Sequence, residues 1–383
     1  MADPHDEHLV AKLCEQVGVP DLDTTLGQAA LRRIVPILTS AARQRARAKD
    51  GTALLREYEA NSRFFGPSDI DQRRHITYAH AFATSLPDEF AMLELSPISP
   101  LGANSVLSRL SQDVTLTTIR GNEVVGDPTT ALSIEAARRR RPLLVADETR
   151  AQPVHLATWH RVLRMQNFDA AKGYMQHFEL FGLLSAGRDA SERLFVNEAI
   201  AAHLTTWLRF IRALVDDAWT ITDVRIAVSD TRLAEQLVRA AGADIDEVNR
   251  RAVDEDFDLF AFCGIELPKE VGVDADLDET LIDRYEARHH VAALRSLSRS
   301  LARDVESGFP GVDVTMDLGR KAGMGYYGGP CYHVYARNLE GRAVQLADGG
   351  EVDWLAQMLT SKKERCVSSG FGAELVQKLF MPR

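Results

Sequence analysis

Two arginines stand at the start of a stretch whose residue types suit phosphate binding. In HRVLRMQNFDAAKGYMQHFELFG (160–182), a strand-like run with Arg161 and Arg164 leads into a polar loop, and Gln176 and Glu179 follow in a second strand-like run. A guanidinium at the base of such a hairpin matches phosphate oxygens with its fork of donors. A surface hairpin with solvated charges explains the same pattern, and on these residues alone we favour that simpler explanation.

A carboxylate stands where a strand gives way to a predicted helix. In EVVGDPTTALSIEAARRRR (123–141), the chain turns at Asp127, and Asp127 or Thr129 can cap the helix that follows. Capping accounts for both residues, whereas the functional alternative is that the carboxylate holds the ammonium group of a small ligand. The arginines at 138–141 complement the dipole at the end of the helix, which explains them better than an RNA-binding patch does.

Glycine and tyrosine are concentrated in GRKAGMGYYGGPCYHVYA (319–336). Glycine lets a ligand approach the backbone closely, and Tyr326 and Tyr327 could form amphipathic cavity walls; a β-turn with core aromatics is an equally good explanation. The segment CVSSGFGAELVQKLF (366–380) predicts a glycine-containing turn that enters an amphipathic helix. The first N–H groups of that helix suit a phosphate or carboxylate, although close packing of a helix on a sheet also calls for glycine.

The composition excludes several classes of protein. The chain has 383 residues, 45% of them hydrophobic and 26% charged, with a formal net charge of -10, so no global positive field attracts tRNA or DNA. No apolar run approaches the roughly 18 residues of a membrane span, and the N-terminal residues lack a signal-peptide pattern, so we expect a cytoplasmic protein. Four scattered cysteines and the absence of any metal-ligand spacing predict reduced thiols and no metal site.

The predicted secondary structure places these segments on one α+β domain. The first sixty residues have helical spacing, and residues 231–306 form a charged, helical insertion. Strand-like runs before the insertion lie at 90–95, 114–120, 142–146, 177–187 and 224–229. Further runs, VDVTMDLG, CYHVYARNL and AVQLADGG, follow it. Strands on both sides of an insertion indicate a single sheet that the last segments complete.

Taken in this order, the segments resemble the catalytic domain of class II aminoacyl-tRNA synthetases. Within that class they are similar to the histidyl-tRNA synthetase branch, which includes the catalytically silent regulatory subunit of ATP phosphoribosyltransferase. FAMLELSPISPLG (90–102), residues 160–182 and SSGFGAEL (368–375) resemble the three class motifs, the first of which builds a homodimer interface. The resemblance covers roughly residues 50–383 and implies an antiparallel sheet flanked by helices.

The resemblance also implies roles for individual residues. The ammonium group of an amino acid would be held by Asp127 and Thr129. The substrate would also contact Gln176, Glu179, Tyr326 and Tyr327, with Glu179 directed, like Asp127, at the ammonium group. A nucleotide would contact Arg164, Gln166, Gly370 and Gln377, with Arg164 on the α-phosphate.

Several positions depart from the pattern of the active enzymes. Val376-Gln377 replaces the Glu-Arg of the third motif, Ala322 replaces the catalytic arginine before the tyrosine pair, and Glu351 replaces an arginine in DGGEVD. Each lost cation aimed at transition-state charge costs about 3 kcal/mol, or about a hundredfold in rate. Arg320 and Lys321 stand close to the lost arginine and could replace it.

These observations predict two domains and leave two functions open. Residues 1–60 would form a helical extension and residues 61–383 a synthetase-like core with the insertion at 231–306 and no anticodon-binding domain. We favour a regulatory or ligand-binding subunit that binds an amino acid or similar small amine, pairs as a homodimer and does not charge tRNA. The alternative is a ligase that forms an aminoacyl adenylate, with ATP and magnesium as cofactors, and passes it to a small molecule or carrier protein. The particular amino acid and the role of Glu351 stay open.

Overall fold

The computed structural model describes residues 4–108, 110–146, 152–166, 174–189, 193–217, 219–254 and 256–381. Its helices are α1 (Pro4–Val17), α2 (Leu22–Gln28), α3 (Leu31–Arg47), α4 (Gly51–Ala60), α5 (Ser62–Phe65), α6 (Gln72–Ser85), α7 (Pro128–Val145), α8 (Leu194–Asp216), α9 (Thr231–Ala240), α10 (Ile245–Arg251), α11 (Leu259–Cys263), α12 (Glu279–Arg284), α13 (Arg288–Gly308), α14 (Trp354–Leu359) and α15 (Ala373–Phe380). Its strands are β1 (Phe90–Met92), β2 (Ile98–Pro100), β3 (Asn122–Val124), β4 (Val154–Leu163), β5 (His177–Arg188), β6 (Thr222–Asp230), β7 (Glu270–Gly272), β8 (Asp313–Asp317), β9 (Pro330–Arg337), β10 (Ala343–Val352) and β11 (Glu364–Phe371).

A nine-stranded, mostly antiparallel sheet organises the chain. Its strand order is β1-β4-β5-β11-β10-β9-β6-β8-β7, and only the β1–β4 and β6–β8 pairs within this described sheet are parallel. Strands β2 and β3 form a separate antiparallel ribbon. The predicted α+β class, with an antiparallel sheet flanked by helices and completed by the last strand, is confirmed.

Helices cover both faces of the central sheet. Because side chains of a strand alternate between the faces, Phe181 and Leu183 of β5 pack with α6 and α8, whereas Leu184 and Ala186 pack with α7 and α14. Tyr78 and Phe82 of α6 stack on the first face against Phe181. We refer below to the α8 face and the α7 face of the sheet.

Helix α7 corrects one strand prediction. Asp127 caps it, Pro128 occupies its first turn, and the helix continues through Pro142 to Val145. The run 142–146 therefore forms the end of this helix and not a strand. Its apolar residues do not enter the core, since Val145 is 86% exposed.

The run 114–120 was also predicted as a strand and is not one. Apart from an isolated bridge between Thr117 and Glu123, this part of the chain forms turns around a buried carboxylate. Glu123 is fully buried and accepts hydrogen bonds from the backbone N–H groups of Gly102 and Asn104, and from the side chains of Asn104 and Gln112. Four donors on one carboxylate offset its desolvation and fix the segment in this path.

The two regions predicted as additions to the core differ in how they pack. Helices α2–α4 of the N-terminal region contribute no buried residue. The region 231–306 contains α9–α13 and the edge strand β7, and many of its apolar residues join the core on the α8 face. Within the described residues, no helix is long and apolar enough to cross a membrane.

A fully buried ion pair joins α7 to β11. The guanidinium of Arg140 bonds both carboxylate oxygens of Glu364, and both side chains are shielded from solvent. We expect Glu364→Ala to lower the free energy of unfolding by about 3–5 kcal/mol, because it removes the buried carboxylate that bonds the Arg140 guanidinium. Chemical denaturation would measure this, with Glu135→Ala as the control: Glu135 pairs with the partly exposed Arg138 and Arg139, and its loss should cost less than about 1 kcal/mol. Equal effects of the two variants would contradict the prediction.

A second ion pair makes the stability depend on pH. His75 of α6 lies 2.9 Å from the carboxylate of Glu179 on β5. The hydrogen bond to Glu179 raises the pKa of His75 above its ordinary value of 6.5, against the opposing effect of burial and of nearby Arg161. The stabilisation is therefore fully present below the unfolded pKa and is lost as the pH rises through the folded pKa.

We expect the difference in unfolding free energy between the native chain and Glu179→Gln to be larger at pH about 5.5 than at pH about 8.5. Denaturation at both pH values would measure it. His75→Gln should remove the pH dependence of that difference, and an unchanged dependence in this variant would show that another group causes it.

Candidate functional site

A cavity of about 720 Å³ opens on the α7 face of the sheet. It is formed by the N-terminus of α7, by strands β5, β10 and β11, and by the glycine-rich segment 323–327. The residues predicted for the substrate and nucleotide that line it are Asp127, Thr129, Arg164, Tyr326, Tyr327 and Gly370. The fold thus brings together six predicted residues that are up to 243 positions apart in the chain, from 127 to 370.

Asp127 serves as a helix cap and also faces the cavity. Its Oδ1 accepts hydrogen bonds from the N–H of Thr129 at 2.9 Å and from the Thr129 hydroxyl at 2.7 Å. The predicted capping is confirmed. Its second oxygen has no hydrogen-bond partner among the residues that the structure describes, so capping leaves that oxygen available to a cation.

The tyrosine pair forms a rigid wall. The rings of Tyr326 and Tyr327 meet edge to face, with centroids 4.8 Å apart, and Tyr326 packs edge to face on Trp354. The chain turns beneath them at Gly323, which has φ +84°, and a Cβ there would lie 2.5 Å from the ring of Tyr327. Burial, and then the charges of Asp127 and Asp348, raise the pKa of Tyr326 well above its usual value. Its hydroxyl therefore stays protonated near two carboxylates.

Asp348 is a cavity residue that our sequence analysis missed. Its Oδ2 accepts a hydrogen bond from the Tyr327 hydroxyl at 2.8 Å, and burial raises its pKa while Arg320 and this hydrogen bond oppose the rise. An acid within the otherwise largely apolar strand-like run AVQLADGG is the sequence feature that could have indicated Asp348. In the overlapping element DGGEVD, our sequence analysis considered only Glu351.

Arg164 supplies positive charge to the cavity. Its Nε donates to the carbonyl oxygen of Gly126 at 2.8 Å, and its Cζ lies 5.5 Å from the centre of the Phe178 ring. These contacts hold the guanidinium beside the N-terminus of α7. Among the described lining residues, Arg164 is the only cationic side chain, against the two carboxylates of Asp127 and Asp348.

Glu179 is not placed as we expected. Phe178 and Leu180 line the cavity, and Glu179, which lies between them on β5, turns its carboxylate to His75 of α6. Strand alternation is the reason, since neighbouring residues of a strand face opposite sides. Glu179 instead borders a smaller cavity of about 270 Å³ beside Lys378.

The glutamines predicted for the substrate and nucleotide also lie outside the larger cavity. Gln377 is buried and bonds His75 at 3.0 Å. Gln176 uses its backbone to bond Arg63 and Arg164, and Gln166 is exposed. None of the three is among the described residues that line the cavity.

The two cations that we expected to replace a lost arginine do not line the cavity either. Arg320 is buried behind Tyr327, with its Cζ 5.2 Å from the centre of the ring and its Nε bonded to the Ala322 carbonyl. Lys321 donates to the backbone carbonyl oxygens of Asp254 and Phe257. Lys321 is therefore bonded away from the cavity, and Arg320 lies behind the Tyr327 ring.

The structure gives Glu351 a position on the other face of the sheet. It is buried three residues after Asp348 on β10, where alternation directs it to the α8 face. There it forms ion pairs with Arg193, just before α8, and with Arg365 of β11. In this position the acid is part of a structural ion pair and does not contact the cavity.

The chain shares its fold with proteins of one family. Residues 194–377 match the family model described as histidyl-tRNA synthetase. Similar solved structures include an ATP phosphoribosyltransferase regulatory subunit/histidyl-tRNA synthetase from Bacillus halodurans, with a TM-score of 0.57, 16% identity, and coverage of 84% of this chain and 83% of that one. A histidine–tRNA ligase subunit from Alicyclobacillus acidocaldarius has a TM-score of 0.59, 17% identity, and coverage of 81% and 93%. Histidyl-tRNA synthetase from Nostoc has a TM-score of 0.58, 14% identity, and coverage of 82% and 73%.

At the level of sequence alone, no curated protein matches the chain significantly. The structural likeness extends over four fifths of the chain, and the family match covers its second half. The chain therefore shares the fold of these histidyl-tRNA synthetase-like structures, and residues 194–377, just under half of it, are similar in sequence to the histidyl-tRNA synthetase family.

Proposed function

We propose that this chain binds an amino acid or a similar small amine in the cavity and acts as a regulatory or ligand-binding subunit that does not charge tRNA. One observation carries the proposal. The described lining of the cavity has two carboxylates, Asp127 and Asp348, and one guanidinium, Arg164. Such a lining attracts a cationic amine and repels a polyphosphate.

The ammonium end of an amino acid would lie at Asp127. The free oxygen of this carboxylate and the neighbouring Tyr326 hydroxyl provide two oxygens for an ammonium group that has three hydrogens to donate. The Thr129 hydroxyl already donates to Asp127, which orients the carboxylate. A charge-assisted hydrogen bond at such a half-buried site is stronger than a neutral one.

The carboxylate end of the ligand would lie at Arg164. Nε of this side chain is bound to Gly126, which positions the guanidinium without neutralising it. The two Nη groups have no hydrogen-bond partner among the described residues and present donors to a carboxylate. Arg164 bonds the carbonyl oxygen of Gly126, the residue before Asp127, and both side chains line the cavity, so they can bind the two charged groups of one zwitterion.

The same residues make the cavity less suitable for forming an aminoacyl adenylate, the alternative function. A bound triphosphate requires several cations, and neither Arg320 nor Lys321 is among the described residues that line the cavity. Gln377, which stands where the active enzymes have an arginine, is neutral and bonds His75. With a net charge of -10, the chain also lacks the positive surface that tRNA binding uses. One similar structure bears the name of a regulatory subunit of ATP phosphoribosyltransferase. By analogy, we propose that the activity of a partner enzyme depends on whether this cavity holds a ligand.

Amino-acid binding can be tested with Asp127→Asn. Asparagine caps a helix as well as aspartate does, so the fold should be retained while the charge is lost. We expect affinity for the bound amino acids to fall about tenfold to a hundredfold, as a lost charge-assisted hydrogen bond would cause. Calorimetry with a panel of amino acids, preceded by a thermal-shift screen, would measure it. Asp278→Asn, which alters the cap of α12, is the matched control and should bind normally.

Pyrophosphate exchange would separate the two functions. We expect the native chain to show ligand-induced thermal stabilisation and only background ATP–pyrophosphate exchange, because the described lining of the cavity offers Arg164 and no second cation for the distal phosphates. We expect Arg164→Ala to weaken amino-acid binding. Robust exchange that depends on an amino acid and is lost in Arg164→Ala would overturn the regulatory function and establish the ligase.

A further inference from the structure

We propose that Asp348 makes this cavity selective for amines that carry a second cationic group, such as an α-amino acid with an ammonium on its side chain. This inference rests on the function proposed above and names the class of ligand. It follows from the position of Asp348, from the groups around it and from the charge that an ordinary amino acid would leave unpaired.

The sheet register leaves Asp348 uncovered. Asp348 of β10 is opposite Gly370 of β11, and Gly370 is opposite Gly182 of β5, so the three residues form one row on the α7 face. A Cβ at Gly370 would meet only a backbone oxygen at 4.0 Å, so the space beside the carboxylate is open. Gly370 therefore leaves room for a ligand next to Asp348, whereas the start of α7 packs on Gly182.

The hydrogen bonding of Asp348 leaves one oxygen free. Oδ2 accepts from Tyr327, whereas Oδ1 has no hydrogen-bond partner among the described residues. His333 is its neighbour on β9, but its Nδ1 is bonded to the Tyr335 hydroxyl, and no hydrogen bond joins its ring to Asp348. Burial lowers the pKa of His333 to about 2, so the ring brings no positive charge to the carboxylate. Among the described residues, the vacant oxygen thus has no donor.

Arg320 favours the ionised form of this carboxylate. It lies behind Tyr327, and its two terminal nitrogens are buried without a hydrogen-bond partner among the described residues. Its charge lowers the pKa of Asp348 against the larger effect of burial. No ion pair within 4 Å joins these two described residues, so the carboxylate stays available to a ligand.

The balance of charge identifies the ligand class. An α-amino acid with a neutral side chain would pair its ammonium with Asp127 and its carboxylate with Arg164, and would leave Asp348 facing an apolar group. A second ammonium would pair with Asp348 instead. Both carboxylates act on the hydroxyl of Tyr326, which places them at the same wall of the cavity. A cavity of about 720 Å³ accommodates a side chain of several carbons, and Met324 and Phe178 offer apolar surface to its stem.

Calorimetry with lysine and norleucine tests the inference on the native chain. The two amino acids have side chains of similar length, one ending in an ammonium and the other in a methyl group. We expect lysine to bind at least about tenfold more tightly, as a charge-assisted hydrogen bond would produce. Shorter homologues, from diaminopropionate to ornithine, would identify the side-chain length that fits best.

The variant Asp348→Asn then tests whether Asp348 causes the selectivity. We expect this variant to lose the preference for lysine while it binds norleucine as the native chain does, whereas Asp127→Asn should weaken both ligands. Norleucine binding also reports that Asp348→Asn is folded.

The outcomes distinguish the two proposals. Equal binding of lysine and norleucine by the native chain would overturn the inference and leave amino-acid binding intact, and so would a preference that persists in Asp348→Asn. If neither these two ligands nor any amino acid of the panel binds, the proposed function itself fails.

Discussion

The alternation of side chains along β5 and β10 determines the chemistry of both faces of this sheet. On β5, Phe178 and Leu180 face the cavity and Glu179 faces α6. On β10, Asp348 faces the cavity and Glu351 faces the start of α8. A shift of one residue in either strand would move each of these side chains to the opposite face of the sheet. The register with β11 therefore keeps the acid that faces the cavity apart from the acid that forms structural ion pairs.

The cationic groups of the chain are largely committed to the fold. Arg140 neutralises Glu364 in the interior, Arg193 neutralises Glu351, and Lys321 ties the glycine-rich segment to carbonyl groups of the insertion. None of these side chains is among the described residues that line the cavity. This distribution of charge supports the proposal that the cavity binds an amine and not a polyphosphate.

The fold and part of the site could be predicted from the sequence. The strand runs, the hairpin around Arg164, the cap at Asp127 and the paired tyrosines were all recognisable, because each depends on local spacing or on one residue type. The strand predicted at 142–146 was wrong because an apolar run at a helix end looks like a strand when its exposure is unknown. Ion pairs between residues distant in the chain could not be predicted from the sequence either. His75 is 104 positions from Glu179, and Arg193 is 158 positions from Glu351. Asp348 was missed for a related reason, since its neighbours Gly370 and Gly182 are defined only by strand register.

Strand β10 has a mechanical property that follows from its two acids. A paired strand is stiff, so Asp348 on one side and Glu351 on the other must move together. Glu351 in turn forms an ion pair with Arg193 at the start of α8. Only three peptide bonds of one strand therefore separate the carboxylate at the cavity from the ion pair at the start of the long helix on the opposite face of the sheet.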